Sequence, residues 1–189
     1  MKFYYINLDT RTDRDEQIRI ELEGLDYVRV PAIHNNNIGI LGCVQSHIKT
    51  LEMFIESGEE MCAILEDDFM FTRPKEELVT SIETEWDVIM LSGNVKRCVP
   101  FNKYVNKVID AQTTSGYMVR KSFAPILLQN FKEGHELLSK NPRLRDDYSI
   151  DMYWKKLQPD SRWFIFNPKF GRQRPGYSDI EKGFFNYGV

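Results

Sequence analysis

The stretch "MCAILEDDFMF", residues 61–71, decides the fold. Its apolar half, Met61 to Leu65, is too short for a helix and carries neither Pro nor Gly, as expected of a strand covered on both faces. It stops at three consecutive carboxylates, Glu66, Asp67 and Asp68, and the chain turns apolar again at Phe69. Upstream, "KFYYINL" (2–8) reads as a strand. "TDRDEQIRIELEGL" (12–25) has helical spacing at Ile18, Leu22 and Leu25, with Thr12 placed as an N-cap and Asp15 as a first-turn acid. "YVRVPAI" (27–33) is a second short strand closed by Pro31, and "HNNNIG" (34–39) a polar loop. Leu41, Val44, Ile48, Leu51 and Ile55 then mark an amphipathic helix ending near Gly58.

Downstream, "KEELVTSIETE" (75–85) predicts a helix after Pro74, and "WDVIMLSG" (86–93) another interior strand. "KYVNKVIDA" (103–111) and "SGYMVRK" (115–121) read as strands. "SFAPILLQNFKEG" (122–134) reads as a helix despite Pro125, and "RDDYSIDMYWKKLQ" (145–158) as a further helix. "RWFIFNP" (162–168) closes the series as a strand, while 169–189, rich in Gly and aromatics, is expected to be an irregular tail. Alternating strands and helices predict an α/β fold with a mainly parallel central sheet flanked by helices. Without repeats, low-complexity tracts or linkers, residues 1–189 read as a single domain.

The 189 residues, 42% hydrophobic and 28% charged, suffice for one sizeable core. A net charge of −3 with scattered Lys and Arg argues against a nucleic-acid or membrane-surface partner. No leader-like segment and no run long enough to cross a bilayer is present, so a soluble, cytoplasmic protein is expected. Cys43, Cys62 and Cys98 are odd in number and set among apolar residues, which fits buried thiols in a reducing compartment; no Asn-x-Ser/Thr acceptor occurs.

Ligands of open α/β sheets bind beyond the carboxyl ends of the strands, where the acidic trio stands. Alternation points Glu66 and Asp68 one way and Asp67 the other. Adjacent carboxylates near a low-dielectric core repel unless one is protonated or a cation intervenes, and oxygen-only ligands suit Mg2+ or Mn2+. Solvated loop acids, or partners for Lys and Arg, are the alternative. Zinc draws no support from His34, His47 and His135, which stand apart with no His-Glu-x-x-His or Cys-x-x-Cys spacing. Arg11 and Arg14 at a helix start suggest an anion bound between them and the free N–H groups, or else an Arg11–Asp15 pair worth roughly a few tenths of a kcal/mol.

"YYINLDTRTDR" (4–14), "GCVQSH" (42–47), "ILEDD" (64–68), "WDVIMLSG" (86–93), "TSGYMVRKSFAPILL" (114–128), "YSIDMYW" (148–154) and "NPKFGRQRPGYSDI" (167–180) resemble, in order, the blocks of glycosyltransferase family 25. The resemblance spans almost the whole chain. It implies a GT-A fold, a Rossmann-like single domain that binds a UDP-sugar with Mn2+ or Mg2+ and transfers a hexose, galactose or glucose, with inversion. The acceptor would be a glycan, lipid-linked sugar or protein hydroxyl. Asp68 and then Glu66 would hold the metal, and Asp67 a ribose or sugar hydroxyl. Asn7, Leu8, Arg11 and Arg14 would line the nucleotide end. Ser46 and His47 match a Ser-His pair, His47 either packed in the core or touching the donor. Two departures stand out: "HNNNIG" is short for the family, and no histidine follows His135.

An inverting displacement needs one base at the acceptor hydroxyl. Asp147 and Asp151 share a helix face at i,i+4, and Asp151, which matches the family's late block, is the expected base; an ion pair with Lys155 is the alternative. Lys169, Arg172, Gln173, Arg174 and Ser178 form a basic tail that either closes over the diphosphate or is ordinary surface charge. Tyr148, Tyr153, Trp154 and Trp163 are left to packing. Two other classes remain open: a non-catalytic nucleotide-sugar or carbohydrate-binding homologue, and a phosphoryl-handling α/β protein with Asp67 or Asp68 as acceptor.

Overall fold

Strands with no polar face must be covered on both sides, and the computed structural model, described for residues 1–78 and 84–188, shows how. The elements are β1 (Lys2–Asn7), α1 (Thr12–Glu21), β2 (Tyr27–Pro31), α2 (Gly39–Ser57), β3 (Met61–Glu66), β4 (Phe69–Phe71), β5 (Val88–Met90), β6 (Asn94–Pro100), β7 (Val105–Gln112) and β8 (Gly116–Arg120). There follow α3 (Ala124–Lys140), α4 (Arg145–Tyr148), α5 (Ile150–Tyr153), β9 (Trp163–Phe166), β10 (Gly171–Gln173), β11 (Gly176–Ser178) and β12 (Gly183–Phe185). Eight strands form one sheet in the order β2-β1-β3-β8-β5-β9-β7-β6. β1, β2, β3, β5, β6 and β9 run one way, and β7 and β8 oppose them.

Alternation along β1 and β3 sorts side chains into two cores. Tyr4, Ile6, Cys62 and Ile64 pack with Val44, Leu51 and Phe54 of α2 and Leu127 and Phe131 of α3. Phe3, Tyr5, Ala63 and Leu65 pack on the other face with Ile18 of α1, Leu22 and Phe69. Trp154 and Trp163 belong to the first core, with ring centroids 5.0 Å apart, and the Trp154 indole N–H donates to the Ala111 carbonyl. Among the described residues, no helix is long and apolar enough to cross a membrane.

The chain passes from β1 out to β2 and returns past β1 to β3, so α1 and α2 lie on opposite faces. Their separation opens a crevice at the carboxyl ends of β1 and β3. β8 runs antiparallel to β3, bringing Thr113 to Ser115 beside Glu66; the Glu66 amide donates to the Ser115 carbonyl at 2.9 Å.

Several expectations are corrected. The helix expected over 75–85 falls partly on residues 79–83, outside the described residues; what is described is a single 3-10 turn, Lys75–Glu77. The helix expected over 145–158 is broken at Ser149 into α4 and α5, the latter running on into a 3-10 turn, Trp154–Leu157; the extended backbone of Ser149 (φ −59°, ψ 154°) breaks the register that would put Asp147 and Asp151 on one face. Thr12 is the first residue of α1 and not its cap. β6 forms without a clear sequence signal. The tail is ordered: β10 pairs with β4, β11 pairs with β12, and Phe170 is fully buried.

Gly42, in the first turn of α2, carries the junction between that helix and the 32–38 loop. The Ser46 hydroxyl donates to the Gly42 carbonyl at 2.6 Å and accepts the Ile33 amide at 2.8 Å. A Cβ on Gly42 would collide with the Ile33 carbonyl oxygen and stand 3.2 Å from the Asn35 amide nitrogen. Gly42→Ala is therefore expected to destabilise the protein by about 1–3 kcal/mol, read from the urea midpoint, because backbone rather than a flexible side chain has to move.

Candidate active site

The crevice at the carboxyl edge is a cleft of about 940 Å3. Its floor is the acidic trio, and each acid meets a different environment. Glu66 Oε1 accepts the Thr114 hydroxyl at 2.6 Å and lies 3.4 Å from His47 Nε2. Burial works to raise this carboxyl, but the His47 ring and the Thr114 hydroxyl outweigh it and hold it low. Asp67 accepts Asn7 Nδ2 at 2.8 Å and Arg14 Nη1 at 2.9 Å. Burial still leaves Asp67 raised.

Asp68 is the strained member. One oxygen accepts Arg14 Nη1 and Gln173 Nε2, each at 3.1 Å, while the other, Oδ1, is buried and has no hydrogen-bond partner. Burial first, then the Glu66 charge, pushes this carboxyl up to about 7. Arg14 serves both aspartates; burial opposes its charge, but Asp68 and Asp67 raise it above the ordinary arginine value. Two carboxylates therefore lean on one guanidinium, and Asp68, which lines the cleft, keeps one buried oxygen without a partner. That unpartnered oxygen is the one with which Asp68 could hold a cation.

Across the cleft, Asp151 Oδ2 accepts the Thr113 amide at 3.1 Å and Oδ1 the Ser149 hydroxyl at 3.1 Å. Burial raises Asp151, against the pull of those two donors. Lys155 does not pair with it and instead meets Asp110 at 3.0 Å. Thr113 holds a positive φ of 87°, which turns its amide toward Asp151.

Leu8, Arg14, Ser46 and His47 line the cleft with Glu66, Asp67, Asp68, Asp151 and Gln173. Asn7, Arg11 and Asp147 do not. Asn7 is buried behind the wall, where it also accepts Arg29 Nε at 3.0 Å. Arg11 pairs with Asp13 and Asp179, not with Asp15. Asp147 faces solvent on α4. The Ser46 hydroxyl is taken up by the Gly42 carbonyl and the Ile33 amide, and His47 is fully buried, its Nδ1 3.1 Å from the Tyr117 hydroxyl.

The β11–β12 hairpin roofs one side, held by Arg11–Asp179, by Arg145–Glu181 at 3.0 Å and by Arg14 Nη2 donating to the Tyr177 carbonyl at 2.7 Å. The segment from Lys169 to Gln173 is no detachable lid, since Phe170 is fully buried and the Gly171 amide bonds the Leu91 carbonyl. Arg174 lines the cleft but its guanidinium is paired with Glu21 at 2.9 Å, and Lys169 donates to the Gly93 carbonyl at 3.1 Å.

From the sequence, Cys43 reads only as a buried thiol; it is half-buried and stands at i,i+4 to His47 on α2. The Cys43, His47 and Glu66 donor atoms all lie within 4.8 Å of one another, close enough to hold a metal ion. Burial, followed by the charges of Glu66 and Asp151, pushes the Cys43 thiol well above its ordinary range. Thr114, which holds Glu66, and Thr113 and Ser149, which hold Asp151, were not singled out in the sequence.

No protein-family model matches the chain, and no curated protein matches it either. Among solved structures, the chain is similar to a glycosyltransferase involved in the glycosylation of the major capsid of PBCV-1, at 11% identity and a TM-score of 0.61, covering 96% of this chain and 95% of that one. Looser similarities are to the glycosyltransferase GlyE of Streptococcus pneumoniae TIGR4 (15% identity, TM-score 0.48, 87% of this chain and 37% of that one) and to a UDP-glucose pyrophosphorylase complexed with UDP-glucose (11%, 0.49, 87% and 65%). The first shares the overall fold nearly end to end.

The raised Asp68 has a consequence for stability. Its native value, about 7, lies above the ordinary 3.8, so between those values the folded chain holds a proton that the unfolded chain has lost. Stability is then highest below this window and declines as pH rises through it. In chelator-containing buffer, the melting temperature is expected to fall between pH 5 and pH 8, and Asp68→Asn to flatten that fall. An equal slope in both proteins would contradict the assignment.

Proposed function

We propose that the protein is an inverting glycosyltransferase resembling family 25, which moves a hexose, galactose or glucose, from a UDP-sugar to a hydroxyl of a glycan, lipid-linked sugar or protein. The observation that carries this reading is the pairing, in one cleft at the strand switch point, of a cation-seeking oxygen (Asp68 Oδ1) with an independently held carboxylate (Asp151). The fold shared with a capsid glycosyltransferase supports it.

Mn2+ or Mg2+ at Asp68 would supply charge neutralisation for the diphosphate when bound. The chain's own residues do the rest. Arg14 stands at the start of α1, where free N–H groups and a guanidinium together favour an anion. Gln173 fixes one Asp68 oxygen. Asp151, its carboxylate held by Thr113 and Ser149, is placed to accept the acceptor hydroxyl's proton; its raised value brings it toward the working pH of a general base. The β11–β12 hairpin restricts water access to the cleft.

Asp151→Asn should retain UDP affinity, measured calorimetrically with Mn2+, and lower turnover by about 10²–10⁴-fold, the usual scale of one acid–base residue. Unchanged turnover would remove Asp151 from this role. Mn2+-stimulated release of UDP from UDP-galactose or UDP-glucose tests the reading as a whole. UDP-sugar binding without any release would instead support a non-catalytic homologue.

A further inference from the structure

We propose that Cys43, His47 and Glu66 form a second metal site, specific for a thiophilic divalent ion such as Zn2+ and distinct from the hard-ion position at Asp68. Cys43 and His47 are one helical turn apart on α2, and Glu66 ends β3 opposite them. Their donor atoms lie within 4.8 Å of one another. A tetrahedral ion at about 2.0–2.3 Å from each ligand needs donors roughly 3.5 Å apart. His47 Nε2 and Glu66 Oε1 already stand at 3.4 Å. The Cys43 sulfur, within 4.8 Å of both, is the ligand that has to move closer.

The second observation is at His47. Its ring is fully buried, and Nε2 has no hydrogen-bond partner although it is aimed at the carboxylate. The surroundings have the form of a metal ligand's outer shell. The Tyr117 hydroxyl, 3.1 Å from Nδ1, can take that nitrogen's proton as an acceptor and leave the Nε2 lone pair free. The Thr114 hydroxyl orients Glu66 in the same way.

Charge balance points the same way. Glu66, Asp67, Asp68 and Asp151 line the same cleft as Cys43, whereas the Arg14 guanidinium is already shared by Asp67 and Asp68. A soft ion held by sulfur, imidazole and carboxylate would offset that excess, with its open side toward the cleft that all three residues line. Binding replaces the thiol proton, which is released to solvent as the Cys43–metal bond forms. Hard Mn2+ or Mg2+ has no preference for such a set.

The test is titration of the full chain, freed of metal, with Co2+ as a spectroscopic stand-in for Zn2+. One equivalent should bind with a thiolate-to-cobalt charge-transfer band, and Zn2+ should displace it. Cys43→Ser should abolish the band and weaken binding by more than about tenfold, a change that outer-shell partners alone can reach. Asp68→Asn and Cys98→Ser should keep the band, and Mn2+-dependent UDP binding should survive Cys43→Ser, so the two metal positions are scored separately. Absence of the band, its persistence in Cys43→Ser, or its loss in Cys98→Ser overturns the proposal. On unmutated protein, Zn2+ should also protect Cys43 from alkylation mapped by peptide mass; equal labelling with and without Zn2+ overturns it independently of any variant's folding.

Discussion

One guanidinium shared between two buried aspartates is the interaction on which the site depends. Arg14 reaches from the first turn of α1 to Asp67 and Asp68 at the end of β3, joining the two elements that flank the switch point. In a poorly solvated crevice such a pair is not a simple stabiliser, because burying each charge costs several kcal/mol before attraction returns any of it. The arrangement persists because Asn7 and Gln173 add neutral donors, leaving only Asp68 Oδ1 uncompensated. That residue of unmet charge is what a ligand can exploit.

The turn at Asp67 and Asp68, between β3 and β4, gives consecutive acids different tasks and overrides the strict alternation expected of a strand, since Arg14 reaches both aspartates. Glu66 turns toward α2 and meets His47 and Thr114; Asp67 turns to β1 and α1; Asp68 turns toward the segment paired with β4. The outcome is three carboxyls with opposite tendencies, Glu66 held low while Asp67 and Asp68 are pushed up. Divergent values among neighbouring acids are a mark of functional sites, though structural ion networks produce them too.

Much of the fold was legible because its signals are local. The apolar runs of β1, β3, β5 and β9 and the stripes of α2 and α3 are dictated by burial on both sheet faces. β6 was not legible, because its Lys96 and Arg97 are exposed at the sheet edge and its pairing with β7 is irregular near Arg97, so no period-2 pattern survives. The acids of the site were visible and Gln173 was among the candidates, but that Thr113 reaches Asp151 from 38 residues away and Gln173 reaches Asp68 from 105 is recorded by no spacing rule, nor is the local Ser149 contact to Asp151. Asp147 shows the converse error, since an i,i+4 argument holds only while the helix continues, and this one breaks at Ser149.

That break is also what gives Asp151 its position. Had the helix run unbroken from 145, Ser149 would lie within it with its hydroxyl available only to its own turn. With Ser149 extended, its side chain instead donates to Asp151, and the next turn starts with Ile150 buried in the first core. The buried Ile150 anchors the turn, and the Thr113 amide, turned by a positive φ, completes the grip. Asp151 is thus set by one apolar anchor and two hydrogen bonds, without a counter-charge of its own. A carboxylate held that way stays orientated yet keeps its affinity for a proton, whereas pairing with Lys155 would have lowered that affinity; the pairing of Lys155 with Asp110 therefore leaves Asp151 raised.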